Sequence, residues 1–361
     1  MADPELSVPQ LRELAAQAQY PVIDASVGSP VDAPPAFIPH VLASSNRERG
    51  YPRSDGSEEF RYAVADWIEK SFQVALELDA VAATVGSKEF IATLPAILAA
   101  KRPDRRYVLV PRIAYPTYAA GARFAGLETF EIPVENGEVL IDRVPAAISR
   151  SALLLWMNSP GNPTGEVGEY PAVVEFCRRN GIVLASDECY SDYFWSRPRT
   201  SALECGTEGV LSVFSLSKRS NLAGLRIGAY AGDSGLVAEL VEARRELGLI
   251  AAGPVQAAAI AALEDEEHVI EQRKRYQRRL ETLASVMARY LENPQLPEGG
   301  IYLWGSVSPS FGGNGDALAL YLAREFGVVV APGSGFGDGG RVRIAATVSN
   351  PNIVELAARL S

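Results

Sequence analysis

The sequence predicts an α/β fold of the doubly layered kind, a mostly parallel central sheet in a large domain with a smaller α+β domain beside it. Three observations carry this. Short apolar runs alternate with longer helical patterns through the first 250 residues. Several of those runs are nearly continuous in hydrophobicity, which suits strands covered on both faces. The chain has 361 residues, 47% hydrophobic and 22% charged, which is long for one core and apolar enough for two.

Up to about residue 40 the chain offers no strand for the first sheet, and this segment is expected to pack with the second unit. AVAATVG (80–86) then reads as a strand and leads into the helix SKEFIATLPAILAA. YVLVP (107–111) precedes the helical TYAAGARFAG, and ALLLWM (152–157) precedes EYPAVVEFCRRNG. Gly181 after Asn180 is a helix stop. GIVLASDE (181–188), VLSVFS (210–215) and IGAYAG (227–232) come next as strands, and LVAELVEARRELG as a helix. From about residue 255 the texture changes. A long charged helix, HVIEQRKRYQRRLETLASVMARYL, leads into the short strands IYLWGSV, GVVVAPG and RVRIAAT. The expected division is a large domain over 41–254 and a small domain from 1–40 with 255–361.

Composition narrows the function classes. The net charge is −10 and no basic cluster is longer than KRPDRR (101–106), so nucleic acid is a poor partner on electrostatic grounds. No apolar run approaches the ~20 residues that span a membrane, and the acidic start MADPELSVPQLREL does not read as a secretory leader. Cys177, Cys189 and Cys205 lack CxxC spacing and point to reduced thiols in a cytoplasmic protein. His40 and His268 have no companions at metal-ligand spacing, so zinc chemistry and a histidine triad are not expected.

In α/β sheets the working site lies outside the carboxyl ends of the strands. Those exits carry Gly86-Ser87-Lys88, Tyr115 with Tyr118, Asn158 with the turn through Asn162, Asp187-Glu188, and Ser215, Ser217 and Lys218. Gly86-Ser87-Lys88 opens a helix, which by itself reads first as an ordinary strand–helix turn and also suits an anion site made by free N–H groups and the helix dipole. Ser215, Ser217 and Arg226 add two hydroxyls and a fixed positive charge suited to phosphate. Asp187, at the end of a buried strand, needs a partner or its pKa rises. Lys218 stands alone in SLSKRSNLAGLRIG, a setting a surface lysine does not require. A phosphate site, a lysine able to form an imine, a buried carboxylate for a ring nitrogen and an aromatic platform together describe pyridoxal 5′-phosphate.

The motifs SLSKRSNLAGLRIG, NSPGNPTG, SDECY, TVGSKE, AYPTYAAGARFAG and VVVAPGSGFG…RVRIA occur between about residues 24 and 346. On them the chain resembles the fold-type-I pyridoxal-phosphate enzymes of the class I/II aminotransferase group. The resemblance implies that Lys218 binds the cofactor covalently and moves the proton between the substrate α-carbon and the cofactor. It implies that Asp187 pairs with the ring nitrogen, that Asn162 and Tyr190 bond the ring oxygen, and that Tyr115 stacks on the ring. Ser87, Lys88 through its backbone, Ser215, Ser217 and Arg226 are then the phosphate ligands. Tyr51 matches a tyrosine that reaches the phosphate from a neighbouring subunit, so a homodimer with shared sites is expected. Arg343 matches the arginine that forks onto the substrate α-carboxylate, and Gly28 a glycine whose backbone lines the substrate site. Glu188 and Cys189 are expected to be structural.

Further local words (DASVGSPVD, VGSKEFIATLP, AYPTYAAGAR, GPVQAA, GGIYLW) are similar to the actinobacterial-type N-succinyl-L,L-diaminopimelate aminotransferases, which use glutamate as amino donor. PRSDG after Tyr51 and VSPSFGGNGD (307–316) depart from that pattern. A dicarboxylic substrate needs a second cation, and Arg53 or Arg219, which flank cofactor motifs, are the expected providers. Three alternatives stay open: another amino donor such as aspartate or an aromatic amino acid, a lyase or decarboxylase of the same fold, and a ligand-sensing regulator. The acidic chain, without a basic DNA-binding segment, weighs against the last.

Overall fold

Nearly continuous apolar strands assemble into one seven-stranded sheet in the computed structural model, which describes residues 6–45 and 50–361. The strands are β1 (Val81–Thr84), β2 (Tyr107–Pro111), β3 (Glu128–Ile132), β4 (Ala152–Asn158), β5 (Val183–Asp187), β6 (Val210–Ser215) and β7 (Gly228–Gly232). Their order is β1-β7-β6-β5-β4-β2-β3. Strand β7 is antiparallel to both neighbours, and the other four pairings are parallel.

The alternation of side chains sends successive residues to opposite faces. On β4, Leu155 and Met157 join one core with Phe60, Trp67 and Leu184, while Leu154 and Trp156 join the other with Phe90 and Tyr230. Both faces are therefore covered, as the sequence predicts. Strand β3 is the one that apolar patterning does not announce. It is an edge strand whose ETFEI sequence is mostly exposed, so it carries neither a continuous apolar run nor a clean alternation.

Five helices frame the sheet and the site: α1 (Val8–Ala15), α2 (Glu58–Phe72), α3 (Ser87–Lys101), α4 (Gly253–Glu264) and α5 (Glu267–Met287). Helix α4 packs on α2 and on the helix Ile38–Ser44, and its Ala258, Ala259 and Ala262 lie in the first core. The sheet's own packing thus runs about ten residues past the expected junction at 254. A third core holds α1, Leu280 and Leu283 of α5, and the last 60 residues. There Ile23–Asp24 pairs in parallel with Val328–Val329. A three-stranded antiparallel sheet completes this unit, β8 (Tyr302–Ser306), β10 (Arg341–Ala345) and β9 (Ala331–Pro332) in that spatial order. Leu303, Val342 and Ile344 of this sheet enter the third core. Tyr302, Trp304, Arg341 and Arg343 share its other face. Among the described residues no helix is long and apolar enough to cross a membrane.

Candidate active site

Strand register gathers the polar exits. Asn158 at the end of β4 pairs with Asp187 at the end of β5, and β6 delivers Ser215 two residues beyond the partner of Asp187, Val213. These ends border a cavity of about 810 Å³ that Tyr302, Phe336 and Arg343 also line. Ser87, Lys88, Tyr115, Asn162, Asp187 and Tyr190 line it. So do Gly28, Ser215, Ser217, Lys218 and Arg226.

One end of the cavity is built for an anion. Helix α3 starts at Ser87 on Gly86, which has φ 80° and supplies no side-chain cap, so the first N–H groups of the helix point outward unsatisfied. Arg226, itself left-handed at φ 54°, lays its guanidinium over Gly86. A Cβ on Gly86 would stand 2.3 Å from Arg226 Nη2, so only glycine admits that approach. Ser215 Oγ accepts the Ser217 N–H at 3.2 Å, which leaves its hydroxyl proton to give.

The floor holds a buried carboxylate. Asp187 is 4% exposed, and burial holds its carboxyl above the ordinary range against the pull of the Cys189 N–H and the Tyr118 hydroxyl. Tyr118 donates to Asp187 Oδ2 at 2.7 Å and the Cys189 N–H to Oδ1 at 3.2 Å. Asn158 Nδ2 fixes the Asp187 carbonyl at 2.8 Å. Tyr118 is wholly buried and stacks on Trp156 with centroids 4.9 Å apart. Tyr115 meets Tyr118 edge-on at 5.8 Å.

Lys218 comes up through this floor on the first turn after β6. Its Nζ donates to the carbonyl of Gly28. Burial lowers its pKa to about 8, helped by the positive charges of Arg343 and Arg226, so near neutral pH an appreciable share of the amine is unprotonated. Gly28 is required by space: a Cβ there would lie 1.8 Å from the Tyr302 hydroxyl.

The opposite wall is a hydrogen-bonded chain. Arg343 donates through Nη1 to Asn162 Oδ1 at 2.8 Å and through Nη2 to the Ser26 carbonyl at 2.6 Å. Its Nε is buried without a partner. Asn162 Nδ2 approaches the Tyr190 hydroxyl at 3.4 Å, and Tyr190 and Tyr302 share a proton at 2.8 Å. Burial raises the pKa of both phenols. Tyr302 adds to the rise at Tyr190, while the charge of Arg343 opposes it at Tyr302. Both stay neutral donors across the physiological range.

A model of the family described as "Aminotransferase class I and II" matches residues 21–360. The chain belongs to that family. It is 38% identical over 352 residues to the 4-dedimethylamino-4-oxo-anhydrotetracycline transaminase of Streptomyces rimosus, covering 94% of this chain and 93% of that protein. It is 33% identical to the LL-diaminopimelate aminotransferase of Syntrophobacter fumaroxidans, covering 94% and 90%. A solved structure of a probable N-succinyldiaminopimelate aminotransferase from Thermus thermophilus superposes with a TM-score of 0.88 at 30% identity, covering 98% of each chain. The fold is therefore type I, and the cofactor is pyridoxal phosphate. The residues present fit that group. The glycine cradle under Arg226 and the open helix start suit its phosphate, and the buried Asp187 suits a protonated ring nitrogen.

Tyr51, expected to serve a neighbouring subunit, is 99% exposed and does not line the cavity of its own chain. Two expected residues lie elsewhere. Arg53 forks onto Asp55 at 3.0 and 2.7 Å on the surface. Arg219 is buried against Trp67, bonding the Ala262 carbonyl at 3.0 Å and Glu266 at 2.5 Å. It turns away from the cavity because one residue along a helix rotates the side chain by about 100°. Local motifs give Tyr118 no task and do not point to Tyr302 or Ser26. Tyr118 and Tyr302 lie 69 and 112 residues from the partners they bond, and no spacing rule links positions that far apart. Glu188 is buried outside the cavity, accepting from the Ala202 N–H at 3.0 Å and Ser212 at 2.8 Å.

Proposed function

We propose that this aminotransferase moves an amino group between glutamate/2-oxoglutarate and N-succinyl-L,L-diaminopimelate, alternating between two amino-acid half-reactions at one site. The observation that carries the amino-acid half of this reading is Arg343. It is 8% exposed, oriented from two sides by Asn162 and Ser26, and faces the cavity with Lys218. Such a fork binds a carboxylate in two parallel hydrogen bonds. The choice of diaminopimelate chemistry is supported by the local sequence words and by the names of similar proteins. Those relatives also support a second reading, the free LL-diaminopimelate as substrate.

In this reading Ser87, Lys88 (by its N–H), Ser215, Ser217 and Arg226 hold the phosphate, and Tyr115 covers the ring. Bound pyridoxal phosphate supplies a ring that accepts the electron pair left when the substrate α-carbon loses its proton. Asp187 keeps the ring nitrogen protonated by charge and hydrogen bonding. Asn162 and Tyr190 direct their donors at the ring oxygen. Lys218 would hold the cofactor, and its buried Nζ would serve as the base that takes the substrate α-proton and as the acid that gives it back. Arg343 holds the α-carboxylate so that the α-proton faces Lys218. Tyr51 serves the phosphate of a second copy, which makes the working unit a homodimer.

A panel of amino donors and keto acceptors tests this, with succinylated 2-amino-6-ketopimelate, its unsuccinylated counterpart, and aspartate and aromatic donors. Keto-acid formation from glutamate coupled to either pimelate acceptor is expected. Release of ammonia and pyruvate, or turnover with aromatic donors alone, would overturn the reading.

A further inference from the structure

Neither Arg53, paired with Asp55 on the surface, nor Arg219, buried against Glu266 and the Ala262 carbonyl, meets the cavity of its own chain. A different arginine stands closer to the α-carboxylate fork. Arg341 and Arg343 are two residues apart on β10 and share a face of the sheet. Same-face neighbours on one strand sit about 6.6 Å apart along the chain. Aromatic rings pave the interval. Arg343 Cζ lies 4.5 Å from the Phe336 ring centroid, Phe336 meets Trp304 edge-on at 5.9 Å, and Arg341 Cζ lies 5.9 Å from the Trp304 centroid.

Arg341 opens onto a second cavity of about 340 Å³, which shares Asn162 with the first. Trp304, Arg112, Glu135 and Glu166 also line it. Arg341 is 38% exposed and loosely paired with Asp338 at 3.3 Å. An exposed pair of this kind is worth little and exchanges its anion readily. Glu166 faces the same space, but burial raises its pKa, which weakens its opposition to an incoming carboxylate.

We propose that Arg341 is the side-chain specificity residue of this enzyme, taking the distal carboxylate of a dicarboxylic substrate in the cavity beyond Asn162 while Arg343 holds the α-carboxylate. The inference rests on the amino-acid reading of Arg343. The two carboxyl carbons of extended glutamate are roughly 5 Å apart from standard bond dimensions, a span comparable to the spacing of the two arginines along the strand. A longer dicarboxylic acid enters the same cavity and meets Arg341 or Arg112 farther out. Asp338 is the placeholder that the substrate displaces. Besides Lys218, Arg226 and Arg343, two other cations line the first cavity: Arg12 is held by Asp24 at 2.6 Å, and the Lys88 ammonium lies 5.9 Å from the Tyr115 ring centroid.

The test compares Arg341→Gln, Asp338→Asn and Arg12→Gln holoenzymes with the parent. Two quantities are read: the ratio of kcat/KM for glutamate to that for alanine, and calorimetric Kd values for glutarate and for butyrate. Arg341→Gln is expected to lower the ratio and weaken glutarate by about 10- to 100-fold, the loss of one charged hydrogen-bonded pair, with butyrate moved less than threefold. Asp338→Asn is expected to tighten glutarate, because it frees Arg341. Arg12→Gln is expected to leave the ratio in place. Equal weakening of glutarate and butyrate by Arg341→Gln, an unchanged glutarate Kd, or a ratio that collapses in Arg12→Gln instead would overturn the assignment. A parent enzyme that prefers alanine and butyrate over glutamate and glutarate would overturn the dicarboxylic reading itself, whatever the variants do.

Discussion

Tyr118→Phe isolates one hydroxyl in the floor of the site. The ring stays, with its stack on Trp156 at 4.9 Å and 15°, so packing is preserved. What goes is the 2.7 Å hydrogen bond to Asp187 Oδ2, in a place where both residues are buried. A hydrogen bond to a charged group is worth about 1.5–3 kcal/mol. The Asp187 pKa, already raised by burial, climbs further once the donor that favours its charged form is gone. The carboxyl then keeps a proton of its own more of the time and is less often the anion that pairs with a protonated ring nitrogen, and cofactor affinity near neutral pH is expected to fall about 10- to 100-fold. Apoprotein titrated with pyridoxal phosphate and followed by absorbance and tryptophan fluorescence gives Kd directly. A cycle with Asp187→Asn sharpens the result. Against the neutral amide the hydroxyl is worth only ~0.5–1.5 kcal/mol, so the two losses must fall short of additivity by on the order of 1 kcal/mol. A Tyr118→Phe protein that binds cofactor within twofold of the parent, or a strictly additive cycle, would refute the reasoning.

The depressed pKa of Lys218, about 8, sets the pH at which its amine becomes a nucleophile. The rate of cofactor incorporation into apoprotein should rise through pH 8 and level off above it, and an inflection near the ordinary lysine value would contradict the burial argument. Glu188 has its carboxyl pushed up to about 7 by burial, with Oε2 unpartnered. A group whose folded pKa lies above its unfolded value binds its proton more tightly in the folded state, so its stability contribution is full below the unfolded value, about 4.5, and is lost as pH rises through about 7. Glu188→Gln removes that penalty, worth about 3 kcal/mol over the interval. Its Tm relative to the parent should climb between pH 5 and pH 8, and a constant difference would show that Glu188 does not titrate there.

The range of each physical signal decides what is legible in the sequence. Strands β4, β5 and β6 are buried on both faces, so their apolar runs announce them, and their polar exits announce a site. The edge strand β3 is solvated and sends no such signal. Lys218, Asp187 and Arg226 stand in short motifs whose chemistry is local, and the fold brings all three to one cavity. Tyr118, Tyr302 and Ser26 act through partners reached only by folding. Arg219 shows the converse: neighbourhood to Lys218 in the chain suggests a shared site, yet its guanidinium is buried against Trp67 and bonds the Ala262 carbonyl. Arg341 is in plain view two residues before Arg343, on the same face of the expected strand, but only the fold sets Trp304 and the cavity beyond Asn162 beside it.

The account stands on a covalent link between Lys218 Nζ and pyridoxal phosphate. Reducing the holoenzyme with borohydride, digesting it and locating the phosphopyridoxyl mass by tandem spectrometry tests that link directly. A single modified peptide with the added mass on Lys218 is the predicted result. Label on another lysine, or none after saturation with the cofactor, would contradict it.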